Sequence, residues 1–246
     1  SFAANKVITV IDNRQTNLQK IVTNIMSKFN PESSYVHLGY EAVTLSSETA
    51  KILGNKTDGK DVQMSGRKGL YINADEMIEK LEKHIFLESK GRNDDLDDAS
   101  LNEIAHNVAI GTVRYELIKP DLGKIITFDI NTSLKLEGDT CSYIQYSCVR
   151  ATSILEKFGK EPNFDTQFDQ LNTEYEINLI KQIGLFEVYV NDAAKNHSPK
   201  IIAKYCHDLA VAFSSFYEHV NVLKAETSEL INLRLCLVLS FKLTLE

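Results

Sequence analysis

The residues best suited to chemistry lie in Lys60-Asp-Val-Gln-Met-Ser-Gly-Arg-Lys-Gly-Leu70, a short basic loop between apolar segments. Gly66 and Gly69 permit backbone conformations in which several N–H groups point the same way, and Arg67 and Lys68 set two cations beside them. That combination cradles an anion such as phosphate. Glycine-plus-basic turns also occur on many protein surfaces, so the loop takes its meaning from the elements before and after it.

The first of those elements is Lys6-Val-Ile-Thr-Val-Ile11, a β-branched apolar run that predicts a buried strand. Asp12-Asn-Arg-Gln-Thr16 then breaks the pattern, and Leu18, Ile21, Val22, Ile25, Met26 and Phe29 recur at three- and four-residue spacing, predicting a helix that ends before Pro31. In open α/β sheets ligands sit at the carboxyl ends of strands, which makes Asp12, Arg14 and Gln15 a candidate crest. Turn and capping chemistry accounts equally well for Asp12 and Asn13. Tyr35–Leu38 and Glu41–Leu45 read as two short strands around Gly39. Residues 46–60, polar and carrying Gly54 and Gly59, read as a mobile excursion into the basic loop.

Beyond the loop, Asn73 with Glu76 has the form of a capping box, and Met77, Ile78, Leu81 and Ile85 supply the buried face of a helix. His84 and Glu88 lie four apart on it and read as a solvated face, since two residues do not make a metal site. Ser89 to Asp98 is a charged connector whose Asp94, Asp95, Asp97 and Asp98 suit the positive end of the next helix dipole. That helix carries Leu101, Ile104, Ala105, Val108, Ala109 and Thr112 up to Tyr115, with Gly111 marking a close approach. From Asp139 onward the pattern is helical throughout: Tyr143–Phe158, Leu171–Ile183, Leu185–Lys195, Pro199–Glu218 and Ser228–Leu245, with Ser198-Pro199 and Thr227 as N-terminal signals. The fold class expected is therefore α/β followed by all-α, with residues 1–72 as the α/β part, 73–138 as a helical connector and 139–246 as a helical bundle.

Composition limits the function. The 246 residues, 43% hydrophobic and 25% charged, are enough for one large or two modest domains. The apolar runs are too short to span a bilayer and Ser1-Phe-Ala-Ala lacks a secretory pattern, so no membrane partner and a cytoplasmic location are expected. Cys141, Cys148, Cys206 and Cys236 form no C-x-x-C pair and read as small core residues of a reducing compartment. A net charge of −7 disfavours indiscriminate nucleic-acid binding, so an RNA site would have to be local.

Met64-Ser65-Gly66-Arg67-Lys68-Gly69 resembles the KMSKS-type signature loop of class I aminoacyl-tRNA synthetases, in the M-S-x-R-x-G form typical of arginyl-tRNA synthetases. Val10-Ile-Asp-Asn-Arg-Gln15 is similar to the segment that precedes that loop. Ile110–Tyr115, Phe128-Asp129, Leu136–Thr140 and Tyr143-Ile-Gln-Tyr146 with Arg150 are similar to the junction between catalytic core and anticodon-binding bundle. Ile202–Tyr205, Asp208–Ala210, Phe213, Phe216-Tyr217 and Leu233–Leu235 resemble the DALR-type anticodon-binding domain. Cysteinyl-tRNA synthetases share the bundle type but select their substrate with a zinc thiolate, and residues 1–140 contain no suitable cysteine.

The resemblance implies a partial Rossmann-type catalytic core, a connector and an anticodon-binding bundle, with ATP, L-arginine and tRNA(Arg) as partners, Mg2+ held through phosphates, no resident metal and a monomer. It implies Arg67 and Lys68 at the leaving pyrophosphate, Val43, Met64, Ser65 and Gly66 around ATP, and Gln15, with Asp12 as a weaker option, against the arginine side chain. Tyr143, Tyr146 and Arg150, on one helical face, and Tyr205 would meet tRNA. Tyr217 and Arg234 read better as core. The signature departs from K-M-S-K-S in reading Gln63-Met64-Ser65-Gly66-Arg67, which leaves Lys68, Arg67 and Lys60 as alternative cations. A HIGH-type motif is lacking, and the chain opens in mid-core and stops at Leu245-Glu246 before the expected end of the last helix. These features imply part of a larger synthetase, inactive by itself. A non-catalytic tRNA-binding or regulatory protein built from synthetase parts is the alternative.

Overall fold

The computed structural model describes residues 4–54, 58–63, 73–91 and 96–246. The chain forms two compact units, Ser1–Ala109 with Pro120–Asn131, and Ile110–Lys119 with Thr132–Glu246. The first contains β1 (Lys6–Asp12), α1 (Thr16–Phe29), β2 (Ser34–Tyr40), β3 (Val43–Leu45), α2 (Ser47–Ile52), β4 (Val62–Gln63) and α3 (Ala74–Lys90). It also holds the first half of α4 (Asp98–Ile118), β5 (Ile126–Phe128) and the start of α5 (Ile130–Ser133).

Strands β1 and β2 pair in parallel, Lys6 opposite Ser34 through Asp12 opposite Tyr40, so their carboxyl ends finish side by side. Gly39 lies inside β2 and does not divide two strands as expected from sequence. In β1 the residues alternate in burial, Val7, Thr9 and Ile11 being the more covered. Thr9 Oγ1 donates to Gln19 Oε1 of α1 at 3.2 Å, which places the helix on that face. The expectation of a buried strand is thus corrected: Ile8 and Val10 point to the other side and are exposed. The α1 helix ends at Phe29, before Pro31 as its spacing predicts, but its apolar stripe is only partly covered. Gln19 is buried and Val22 and Met26 are half-buried, whereas Leu18, Ile21 and Ile25 are exposed and Phe29 is 79% exposed. At about 100° per residue the apolar arc is wider than the strip of sheet beneath it.

A second sheet has the order β4-β3-β5, β3 being antiparallel to β4 and parallel to β5. The stretch expected to be a helical connector, residues 73–138, also contributes β5. Residues 46–60, expected as an excursion, begin instead with α2, because the Ser46 hydroxyl accepts the Thr49 N–H at 3.1 Å and caps it. Leu45, Ala50, Leu53, Leu81, Leu101, Ala105, Ala109, Phe128 and Ile130 form the interior of this unit. Asn73 occupies the N-cap position of α3 without a side-chain cap, and Glu76 pairs with Lys80 at 2.6 Å in place of the expected box. Asp97 does cap α4, accepting the Ser100 N–H at 2.7 Å.

The second unit contains the end of α4 with α6 (Cys141–Phe158), α7 (Glu174–Gly184), α8 (Phe186–Asn196), α9 (Pro199–His219) and α10 (Ser228–Leu245). Thr140, Thr173 and Thr227 cap α6, α7 and α10, and Gly159 closes α6 at φ 70°, a conformation that costs glycine nothing. Ser198 precedes Pro199 at the start of α9 but makes no side-chain cap bond. The core runs through Ile154, Leu179, Leu209, Phe213, Phe216, Leu235, Val238 and Phe241, with the Phe213 and Phe241 rings stacked at 4.0 Å. Gly111 makes the expected close approach: a Cβ there would stand 2.9 Å from Cys141 Sγ and 3.0 Å from Gln145 Nε2. Among the described residues no helix is long and apolar enough to cross a membrane.

Candidate functional site

The crest is formed where β1 and β2 end together. Asp12 accepts the Arg14 N–H at 2.8 Å, Arg14 Nε at 2.9 Å and Arg14 Nη2 at 2.7 Å. These bonds, the Arg14 side chain first, pull its carboxyl down to about 2. The expectation that Asp12 could receive an arginine side chain is corrected by this geometry, since both oxygens already hold the fork of Arg14 and the residue acts as a cap. Gln15 is exposed at the start of α1, and its side chain makes no cap bond.

Asn13, read from sequence as turn chemistry, and Glu41, read as the start of a strand, complete the crest. Asn13 Nδ2 donates to Glu41 Oε1 at 3.0 Å. The approach depends on Gly39, where a Cβ would fall 2.0 Å from Asn13 Oδ1. The Ile11 carbonyl and His37 Nε2 bond at 3.1 Å on the same edge. The signal for this cluster was Gly39 itself, which is not at positive φ and is therefore required by packing. Val43 opens β3 opposite Ile126, partly buried. Met64, Ser65, Gly66, Arg67 and Lys68 lie outside the described residues, directly after β4 in sequence.

On the bundle, Tyr143, Tyr146 and Arg150 share one face of α6, as their spacing predicts. The Arg150 guanidinium lies 4.4 Å from the centroid of Tyr146 and 4.9 Å from that of Tyr217, which comes from α9. Tyr146 is 38% and Tyr217 42% exposed, so the cluster reaches solvent. Tyr143 is half-buried beside His207, ring centroids 5.8 Å apart. The arrangement offers two aromatic faces and a planar cation, the groups on which unstacked bases and phosphates are held.

Tyr205 is corrected. It is 1% exposed, and its hydroxyl donates to the Gln182 carbonyl at 3.0 Å, so it packs the core and offers no ring to a base. Burial pushes that hydroxyl up to about 12. Tyr217, read as core, is a surface residue. Arg234 is structural, as expected, donating from Nε to Glu176 Oε1 at 2.7 Å and from Nη1 to the Asn221 carbonyl at 3.0 Å. Cys236 is buried and the other three cysteines are half-buried. Burial raises all four thiols, Cys141 to about 11. Among the described residues no group of three or more His, Cys, Asp or Glu could hold a metal ion.

Comparison with known proteins places both regions in one family. Residues 144–246 match the DALR anticodon binding domain. An arginine–tRNA ligase of Methanothrix thermoacetophila is 39% identical over 178 residues, which cover 72% of this chain and 32% of that protein. One from Borrelia hermsii is 34% identical over 238 residues, covering 95% of this chain and 38% of that protein. The solved arginyl-tRNA synthetase of Thermus thermophilus superposes with a TM-score of 0.80 at 30% identity, over 98% of this chain and 39% of that one. The chain thus spans between 32% and 38% of the length of these curated relatives. From its crest residues through its helical bundle, the chain belongs to the arginyl-tRNA synthetase family.

Proposed function

We propose that the chain serves arginyl-tRNA formation, in which L-arginine and ATP, as its magnesium complex, give arginyl-adenylate and pyrophosphate, and the arginyl group then passes to tRNA(Arg). The observation that carries this reading is the solvent-facing sandwich of Tyr146, Arg150 and Tyr217 on a bundle of the DALR type. With Tyr143 beside it, that cluster would receive anticodon-stem or loop nucleotides by stacking and charge.

Adenylation needs little covalent help from protein, so positioning and charge stabilisation account for most of it. Arg67 and Lys68, with backbone N–H groups near Ser65 and Gly66, would hold the leaving pyrophosphate as negative charge grows on it. Val43 and Met64 would neighbour adenine. Gln15 would accept from the substrate guanidinium, and an unpaired amide at that position rejects analogues lacking the donor by about ten-thousandfold. The relatives are much longer than these 246 residues, so adenylate formation is proposed for the full protein, a monomer of the cytoplasm, and not for the chain by itself.

Pyrophosphate exchange with each amino acid, with and without tRNA, tests the proposal on the full protein. Exchange dependent on L-arginine, and charging of tRNA(Arg), are expected. Charging with a different amino acid overturns the arginyl assignment. Tight tRNA binding without exchange would favour a non-catalytic tRNA-binding protein, and turnover by the isolated 246 residues would overturn the need for the rest.

A further inference from the structure

The crest holds a second carboxylate that the proposed roles leave unused. Glu41 follows β2 directly, where the chain leaves one sheet for the other, and its backbone N–H is tied to the Leu122 carbonyl at 2.9 Å. Its side chain is aimed by Asn13, whose Nδ2 holds Oε1 at 3.0 Å, and Asn13 in turn fits there because residue 39 has no Cβ. No hydrogen bond from a described residue reaches Glu41 Oε2, and the Glu41 charge also acts on the Arg14 guanidinium that Asp12 holds. A half-buried carboxylate, set at the carboxyl edge of parallel strands and fixed by one oxygen, is an acceptor waiting for a donor.

The geometry selects among donors. A guanidinium is best held by two parallel N–H···O bonds to both oxygens of one carboxylate, and on this crest Asp12 already gives that fork to Arg14. Glu41 has one oxygen engaged by an amide, which leaves a single-point acceptor suited to a hydroxyl. In nucleotide-binding α/β folds a carboxylate beyond a strand end commonly accepts from a ribose hydroxyl. Two residues on, Val43 begins the strand assigned above to the adenine side, so a nucleoside lying along this edge would bring its sugar toward Glu41. We propose that Glu41 accepts a hydrogen bond from a ribose hydroxyl of ATP, with Asn13 as its positioning residue. This rests on the adenylation chemistry proposed above.

The test is arginine-dependent pyrophosphate exchange by the full protein with ATP, 2′-deoxy-ATP and 3′-deoxy-ATP. The unmodified protein is expected to prefer ATP over one deoxy analogue by about tenfold or more, as for a hydrogen bond to a charged group. In Glu41→Ala that preference falls toward unity, chiefly through the KM for ATP, while the KM for L-arginine is unchanged. Asn13→Ala, which frees Glu41 without removing it, lowers the preference by a smaller factor. Equal helix content by circular dichroism shows that the variants fold. Full retention of the ATP preference in Glu41→Ala overturns the inference and leaves the arginyl assignment standing. A rise confined to the KM for L-arginine overturns it in favour of a guanidinium site. Absence of exchange with any nucleotide in the unmodified protein removes the inference together with the proposal beneath it.

Discussion

The β1–α1 step and the helical bundle carry similar apolar patterns and use them in opposite ways. In the bundle the residues at three- and four-residue spacing face one another: Leu209, Phe213, Phe216, Val238 and Phe241 are fully enclosed. On α1 the same spacing leaves Leu18, Ile21, Ile25 and Phe29 largely in solvent, and Ile8 and Val10 of β1 are exposed as well. The difference is one of partners. Helices packed on several neighbours close a core among themselves, whereas a two-stranded parallel sheet with one helix on it has a face that its own elements do not cover. Periodicity therefore states that a side is apolar and leaves open what meets it.

Four measurements would break or sharpen this contrast. Phe213→Ala removes a ring stacked on Phe241 in the closed core, and is expected to destabilise the bundle by about 4 kcal/mol in urea unfolding followed by circular dichroism. A loss below about 1 kcal/mol would mean that the bundle core is as loosely held as the α1 face.

Arg234→Ala should cost about 3 kcal/mol, because it leaves the fully enclosed Glu176 carboxylate without its cation, held only by hydrogen bonds from Asn172 and Thr173. Burial alone would raise the Glu176 carboxyl. The Thr173 N–H, the Arg234 guanidinium and the Thr173 hydroxyl outweigh it and hold the group below the usual carboxylate range. A folded value below the unfolded one means stability that is present above the unfolded value and lost as pH falls through the folded one. The unmodified bundle should thus lose this contribution on acidification below about pH 4, and Arg234→Ala should show a shallower acid limb.

Tyr146→Ala should weaken tRNA binding by about tenfold, as for loss of one stacking ring, with arginine-dependent pyrophosphate exchange unaltered in the full protein. Unchanged affinity in a filter-binding titration would reduce the cluster to a surface cation–π contact. The smallest effect is expected for Ile21→Ser on α1, within about 0.5 kcal/mol of the parent in the same urea experiment. A penalty of core size there would show that the α1 face is covered in solution, and the contrast would fail.

Much of this was readable from the residues in order. The five bundle helices follow from spacing, Thr227 and Pro199, because those are local effects spanning a turn or two. The α6 face with Tyr146 and Arg150 was also legible, since a helix brings residues three and four apart to one side. Tyr205 and Tyr217 were not separable in this way. They lie twelve residues apart on α9, which turns them about 120° from one another, and only the placement of α7 and α6 decided that the first packs inside while the second meets Arg150. Glu41 was hidden for a further reason. Its bond to Asn13 spans 28 positions and exists because β1 and β2 lie in parallel register with a glycine between the two side chains. Local chemistry determined which elements form and where they stop, and long-range register and packing decided which of their side chains remain available to a ligand.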